Sequence, residues 1–184
     1  MSQNEKNKLS TKDLVFIAFF AALMAICSWI TIPAAVPFTM QTFGVFLTLA
    51  LLGGRRGTLS ILLFILLGAI GIPVFSGFKG GIGVLLGTTG GYIIGFILTA
   101  LIMWIFEKLF GHTKRTLIVS MLLGLIACYA AGTAWFMIVY MQSGNTVSLM
   151  TTLGWCVIPF IIPDLLKIAL ALILHGRLKK FVPS

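Results

Sequence analysis

The sequence predicts an all-α integral membrane protein with six transmembrane helices and with both termini in the cytoplasm. Of its 184 residues, 59% are hydrophobic and only 9% are charged, whereas a soluble domain has about 25% charged residues. The charges lie mostly between long apolar segments, and a membrane-spanning helix requires about 20 residues. A chain of this length accommodates six such helices with short loops. The predicted organisation is a cytoplasmic tail at 1–12 followed by a transmembrane substrate-binding domain at 13–180.

Six apolar segments supply the predicted helices. They cover residues 13–32, 39–53, 58–72, 82–106, 117–140 and 151–175. The second and third are short, and as a re-entrant hairpin they would place Arg55 and Arg56 near the middle of the bilayer, at about 2.5–3.5 kcal/mol each. Two full crossings place both arginines in water instead. We therefore expect each short segment to cross the membrane.

The basic residues determine the expected orientation, because cytoplasmic loops are enriched in Lys and Arg. With a cytoplasmic N-terminus, the outer loops carry only Lys79, and Lys167 lies inside a span. The remaining basic residues fall on the cytoplasmic side: Lys6, Lys8, Lys12, Arg55, Arg56, Lys108, Lys114, Arg115, Arg177, Lys179 and Lys180. They form no basic stripe with interleaved aromatic residues, so we expect a lipid bilayer and not a nucleic acid as the partner.

Two charged residues in the last apolar segment are the main candidates for function. Asp164 and Lys167 are three residues apart, which places them on one face of a helix. Ionisable residues within a span are costly and usually face the bundle interior or a cavity. One interpretation is an ion pair that only stabilises the bundle. The other is a recognition pair, in which the carboxylate accepts from N–H groups and the ammonium donates to a carbonyl.

Glycines recur at every fourth position of the fourth segment, at Gly83, Gly87, Gly91 and Gly95. On one helix they would form a stripe almost free of side chains. Such a stripe allows close helix packing, and it equally allows a flat ligand to approach the backbone, with Tyr92 beside it to supply a hydroxyl. The glycines do not form a phosphate-binding loop, so ATP-driven work requires another protein.

Small and polar residues near the N-terminal end supply further candidates. Ala18 and Ala22 form a small-xxx-small pair of the kind that contacts another helix, and so do Ala21 and Ala25. The first outer loop, residues 33–41, contains two prolines together with Thr39 and Gln41. It is either a lid over a site or a tight turn between two helices.

The sequence does not favour an enzyme. It has four acidic residues, two histidines and three dispersed cysteines. These form no nucleophile–base arrangement, no paired carboxylates and no CxxC motif. We therefore expect no catalytic residues, no metal site and no cofactor.

Five motifs run through the chain in a fixed order. They are VPFTMQTF (36–43), LGGRRG (52–57), GIPVFSGFKGG (71–81), GTTGGYIIGF (87–96) and PDLLK (163–167). Together they resemble the biotin-binding S components of energy-coupling-factor (ECF) transporters, the BioY family, over residues 11–180. The chain departs from the family at Thr88, where the family often has proline.

The resemblance implies a six-helix S-component bundle that binds biotin from outside. It also implies partners, namely a transmembrane coupling protein that contacts Ala18 and Ala22, and two cytoplasmic ATPases. Biotin's ureido ring would bind Asp164 through its N–H groups and Lys167 through its carbonyl. Its apolar parts would lie on the glycine stripe around Gly91, and its carboxylate would meet Lys79, assisted by Tyr92, Thr39 and Gln41.

Two alternatives remain at this stage. The first is an S component for another vitamin, such as thiamine, but a cationic ligand would favour acidic residues in the outer loops, and the sequence has none there. The second is a small membrane scaffold protein without a ligand, in which Asp164 and Lys167 are only an ion pair.

Overall fold

The computed structural model describes residues 9–34 and 36–182, which form seven helices and one short two-stranded ribbon. In chain order the elements are α1 (Thr11–Trp29), β1 (Thr31–Ile32), β2 (Phe38–Thr39), α2 (Gln41–Ala69), α3 (Ile82–Leu86), α4 (Gly90–Phe110), α5 (Lys114–Gln142), α6 (Leu149–Cys156) and α7 (Ile158–Leu178). Residues 1–8 of the predicted tail lie outside the described residues, and α1 begins at Thr11.

Five helical stretches of the described chain are long and apolar enough to cross a membrane. They are Thr11–Trp29, Gln41–Ala69, Gly90–Phe110, Lys114–Gln142 and Leu149–Leu178, the last of which combines α6 and α7. The all-helical class with several apolar spans is therefore confirmed. The second stretch contains both of the short segments that the sequence separates, and its geometry requires a closer description.

Helix α2 turns back on itself at Gly53, which has a φ of 74°. In a straight helix, Leu49 and Gly57 would be about 12 Å apart along the axis. Instead, a Cβ atom added to Gly57 would lie 3.1 Å from the Cα of Leu49. The two halves of α2 therefore pack against each other, and glycine at position 53 supplies the left-handed backbone conformation that this reversal needs.

Contacts along α1 trace the same reversal. Near the start of α2, Gly44 packs against Cys27, close to the C-terminal end of α1. At the turn, Arg56 forms a 2.8 Å ion pair with Asp13, in the first turn of α1. Beyond α2, the carbonyl of Val74 accepts a hydrogen bond from Ser28, again at the C-terminal end of α1. The chain thus runs along α1 in one direction and returns in the other.

The turn in α2 is anchored to the C-terminal end of α4. The backbone N–H of Gly54 donates to the carboxylate of Glu107. The other oxygen of this carboxylate lies 3.1 Å from Nδ1 of His112, in the loop after α4. This hydrogen bond to Glu107 raises the pKa of His112. A single acidic side chain therefore joins the turn, α4 and the following loop.

Helices α4 and α5 approach closely through small residues on both sides, as transmembrane helices commonly do. A Cβ at Gly95 would lie 3.0 Å from Sγ of Cys128. A Cβ at Gly91 would likewise lie against the side chain of Trp135. From the other side, Thr99 Oγ1 donates to the carbonyl of Gly124 at 2.9 Å.

Two predicted helices are interrupted in the structure. The segment expected at 82–106 is divided into α3 and α4 by a turn at 87–89, and the segment expected at 151–175 is divided into α6 and α7 at Val157. The expectation of one continuous glycine stripe is therefore wrong. Because the chain changes direction after Gly87, Gly83 and Gly87 line a cavity, whereas Gly91 and Gly95 pack against α5.

Candidate ligand-binding site

A cavity of about 410 Å³ lies between loops 31–40 and 73–81, the first turn of α2, and helices α3, α4, α5 and α7. This volume falls within the range of about 300–1,000 Å³ that is typical of small-molecule sites. The apolar side chains of the wall are Ala34, Val36, Pro37, Phe75, Val84, Ile93, Phe96, Cys128, Cys156 and Phe160. The polar side chains are Thr39, Gln41, Thr42, Ser76, Lys79, Thr88, Thr89, Tyr92, Tyr129, Asp164 and Lys167.

Asp164 is 2% exposed and holds its carboxylate in a set of three hydrogen bonds. Oδ1 accepts from Thr42 Oγ1 at 2.9 Å and from Lys167 Nζ at 2.8 Å. Oδ2 accepts from the hydroxyl of Tyr129 at 2.6 Å. A carboxylate has about four acceptor positions, so Oδ2 keeps one position for a further donor.

Lys167 is 7% exposed, and its three ammonium protons have three acceptors. These are the backbone carbonyl of Thr39 at 2.6 Å, Thr42 Oγ1 at 3.0 Å and Asp164 Oδ1 at 2.8 Å. The sequence predicted that Asp164 and Lys167 share a helix face, and the structure brings them together as an ion pair on the cavity wall. The ion pair of the first interpretation is therefore present, and recognition of a ligand by the same two groups stays a prediction.

The loop between α1 and α2 lies over this charged pair. Its two strands pair antiparallel, with Thr31 opposite Thr39 and Ile32 opposite Phe38. The Phe38 ring stacks on Phe160 of α7 with centroids 5.0 Å apart, and Lys167 Nζ lies 5.0 Å from the Phe38 ring centroid. The loop is therefore fixed to α7 by a ring stack, a cation–π contact and the hydrogen bond from Lys167 to Thr39.

Gln41 is the first residue of α2 and is 6% exposed. Its backbone N–H donates to Thr39 Oγ1 at 3.2 Å, which fixes the start of the helix. Gln41 is one of the residues that line the cavity, and its Nε2 is buried without a hydrogen-bond partner.

Lys79 lines the cavity from the loop between α2 and α3 and remains exposed. This loop is tied to the end of α1 because the Trp29 indole donates to the carbonyl of Pro73 at 2.8 Å and stacks on Phe78. Thr31 and Ser76 are also joined, with their hydroxyl oxygens 2.9 Å apart. Loops 31–40 and 73–81, with Lys79, therefore form one connected rim.

The predicted residues on α4 separate into two kinds. Tyr92 lines the cavity, and its hydroxyl lies 3.2 Å from Thr133 Oγ1. Gly91 is outside the cavity wall and packs against Trp135, whose indole donates to the Gly87 carbonyl at 2.9 Å. The structure therefore gives Gly91 a role in helix packing, while Trp135 fixes the turn that places Gly83 and Gly87 at the cavity.

A model of the BioY family matches residues 2–184. The chain belongs to the BioY family. The resemblance seen in the five motifs is thereby confirmed.

Curated members of the family match almost the whole chain. The protein called "Biotin transporter BioY" from Thermotoga maritima is 38% identical over 173 residues, covering 92% of this chain and 96% of its own. The "Probable biotin transporter BioY" from Pyrococcus horikoshii is 38% identical over 172 residues, covering 93% and 98% respectively.

The fold also matches a solved structure. A 2.1 Å crystal structure, described as the S-component for biotin from an ECF-type ABC transporter, superposes with a TM-score of 0.80. Its sequence is 32% identical, and the match covers 98% of this chain and 95% of the other.

The small-residue pairs of α1 face different surroundings in this BioY-family chain. Ala21 and Ala25 are buried in the bundle at 1% and 5% exposure. Ala18 and Ala22 are exposed on the opposite face, together with Leu14 and Phe19. The pair expected to contact a partner helix is therefore the one that is free to do so.

Several residues of the site escaped the sequence analysis. Tyr129, Thr42 and Phe160 carry contacts of the charged pair or its loop, yet none was singled out from the sequence. Tyr129 had one usable signal, because a tyrosine in the middle of an apolar segment needs a partner for its hydroxyl. Thr42 lies within the motif at 36–43 but has no signal of its own.

In the part of the chain that the structure describes, no three His, Cys, Asp or Glu side chains are grouped to hold a metal ion.

The charged pair predicts a particular pattern of stability. Replacing Asp164 alone by Asn or Lys167 alone by Met leaves one buried charge uncompensated, and we expect each variant to lose about 3–5 kcal/mol of unfolding free energy. The double variant removes both charges and should lose much less than the sum. Thermal unfolding of the four proteins in detergent provides the measurement, and additive losses would contradict the coupling.

Proposed function

We propose that this chain is the biotin-binding S component of an ECF-type transporter and mediates vitamin uptake together with an ATP-driven coupling module. The single observation that carries the proposal is a cavity of about 410 Å³ with a buried Asp164–Lys167 pair on its wall, in a chain of the BioY family. The names of its relatives describe biotin transporters and not enzymes. Neither a different vitamin nor a ligand-free scaffold has comparable support.

The chemistry of the cavity suits biotin. A ureido N–H can donate to the open acceptor position on Oδ2 of Asp164, whose other positions are held by Thr42, Lys167 and Tyr129. The thiophane ring and the aliphatic chain fit the apolar wall that Phe96 and Ile93 supply. The ligand carboxylate would lie at the rim beside Lys79, with Tyr92 and Thr39 on the same cavity wall.

We assign six membrane crossings to the chain, with both termini in the cytoplasm. The support for six crossings is the reversal at Gly53, because the two halves of α2 run along α1 in opposite directions. The support for the orientation is the distribution of basic residues, since Arg55, Arg56, Lys108 and Lys114 lie at one end of the helices, and Lys79 lies at the other.

Cysteine labelling tests this topology. We expect Pro33→Cys and Ile72→Cys to react with a membrane-impermeant thiol reagent on intact cells, and Arg55→Cys to react only after permeabilisation. The native cysteines are buried, so the unmodified protein is the unlabelled control. A single crossing by α2 would place positions 33 and 72 on opposite sides, and labelling of only one of them would contradict the proposal.

Biotin titration tests the ligand. We expect biotin to bind saturably, with one molecule per chain, as measured by tryptophan fluorescence and by calorimetry. Thiamine should neither bind nor compete with biotin. The Asp164→Asn/Lys167→Met double variant should fold but bind at least about 2 kcal/mol more weakly, because it lacks charge-assisted hydrogen bonds to the ligand. Asp13→Asn, outside the cavity, is the matched control and should retain binding. Folded wild-type protein that does not bind biotin would exclude this function.

The partner assignment rests on the exposed face of α1. Ala18 and Ala22 present small side chains there, so that a helix of a coupling protein can approach closely. Two cytoplasmic ATPases would then supply the energy, since the sequence has no phosphate-binding loop of its own.

Bulky substitutions on this face separate uptake from binding. We expect Ala18→Leu/Ala22→Leu to retain biotin affinity and to lose energised uptake in cells that contain the coupling module. Ala130→Leu, at an exposed position of α5, is the control for added bulk on a lipid-facing helix. Unchanged uptake by the α1 double variant would remove this face from the partner contact.

A further inference from the structure

The wall of the ligand-binding cavity changes from buried to exposed residues. Asp164 and Lys167, on α7, are 2% and 7% exposed. Three other residues of the same wall, Ala34, Lys79 and Gly83, belong to the protein surface. The cavity therefore has a buried end at the charged pair and an exposed end at these three residues, which we call the mouth.

The mouth contains open space, because it is built from small residues. Gly83 lies in α3, and a Cβ added there would meet no heavy atom of the described structure within 4 Å. At Gly91 and Gly95, by contrast, an added Cβ would contact α5. Ala34 adds only a methyl group from the loop between α1 and α2. The described residues of the mouth therefore leave room for a group that extends outward from the cavity.

The two ends of the cavity orient a ligand that is polar at both of its own ends. Buried polar groups need hydrogen-bond partners, so the ureido ring of biotin belongs at the buried end, beside Asp164. Biotin carries its carboxylate on an aliphatic chain that points away from this ring. The carboxylate therefore lies toward the mouth, where Lys79 is the charged residue of the wall.

The ligand carboxylate contributes little to affinity at this position. Lys79 is exposed, and an ion pair between exposed groups is weak because water screens it. Loss of such a pair lowers affinity by a factor of at most about five. Charge-assisted hydrogen bonds at the buried end are stronger. A ligand whose carboxylate is neutralised and extended therefore keeps most of its binding energy.

We propose that the site also takes biotin amides, in which the carboxylate is joined to an amine and the attached group leaves the cavity through the mouth. Biocytin, in which the amine is the side chain of lysine, represents this class of ligand. Gly83 is then a specificity-determining residue, because the missing side chain leaves space for the attached group. The inference rests on the proposed function and extends it from free biotin to biotin conjugates.

Titration of the purified full chain with three ligands tests the proposal. We expect biocytin to compete with biotin for one site and to bind with an affinity within about fivefold of that of biotin. The ligand control is biotin with a methoxycarbonyl group on a ureido nitrogen, which places the added bulk at the buried end. This control compound should not compete with biotin.

A bulky side chain at Gly83 tests the position of the mouth. We expect Gly83→Phe to lower the affinity for biocytin at least about fivefold more than the affinity for biotin, because the ring occupies the space of the attached group. Gly83→Leu should change the ratio in the same direction by less. Gly154→Phe, in α6, is the matched control and should keep the wild-type ratio. A Cβ at Gly154 also meets no heavy atom within 4 Å, but Gly154 does not line the cavity.

The outcomes separate this inference from the proposed function. Wild-type protein that binds biotin but loses more than about fivefold in affinity for biocytin would overturn the inference alone. An unchanged ratio in folded Gly83 variants would also overturn it, as would competition by the N-substituted biotin. A folded wild-type protein that binds neither biotin nor biocytin would overturn the proposed function and this inference with it.

Discussion

The burial of one aspartate and one lysine inside an apolar bundle is the constraint on which the rest of the site depends. A buried charge is tolerated only when it is paired and hydrogen-bonded. Asp164 and Lys167 meet this requirement with groups from α2, α5 and the loop before α2. Segments distant in sequence are therefore held together at one point. The cost of leaving either charge unsatisfied explains why the loop lies on α7 and why Thr42 faces the same point.

Glycines make this convergence possible in two different ways. At Gly53, a backbone conformation that other residues rarely adopt reverses the chain within a helix. At Gly91 and Gly95, the absence of a side chain brings α4 against α5, close enough for Tyr92 and Cys128 to line the same cavity. Within the regular series of the fourth segment, Gly83 and Gly87 line the cavity instead, because the turn at 87–89 separates α3 from α4.

The polar groups of the cavity divide into those with fixed partners and those without. The charged pair, Thr42 and Tyr129 hold one another in place, which gives the wall of the cavity a defined geometry. Pre-organisation of this kind reduces the ordering that binding would otherwise require.

The sequence by itself determined the membrane class, the family and the placement of Asp164 and Lys167 on one helix face, because hydrophobicity, motif order and helical spacing are local properties. It also identified Ala18 and Ala22, but only the packing of α1 decided which alanine pair is exposed. The contacts of Tyr129 and Thr42, the packing role of Gly91 and the missing partner of Gln41 were decided by the tertiary structure. Each depends on how segments far apart in the chain meet, and hydrogen-bond satisfaction at such meeting points is a property of the assembled bundle.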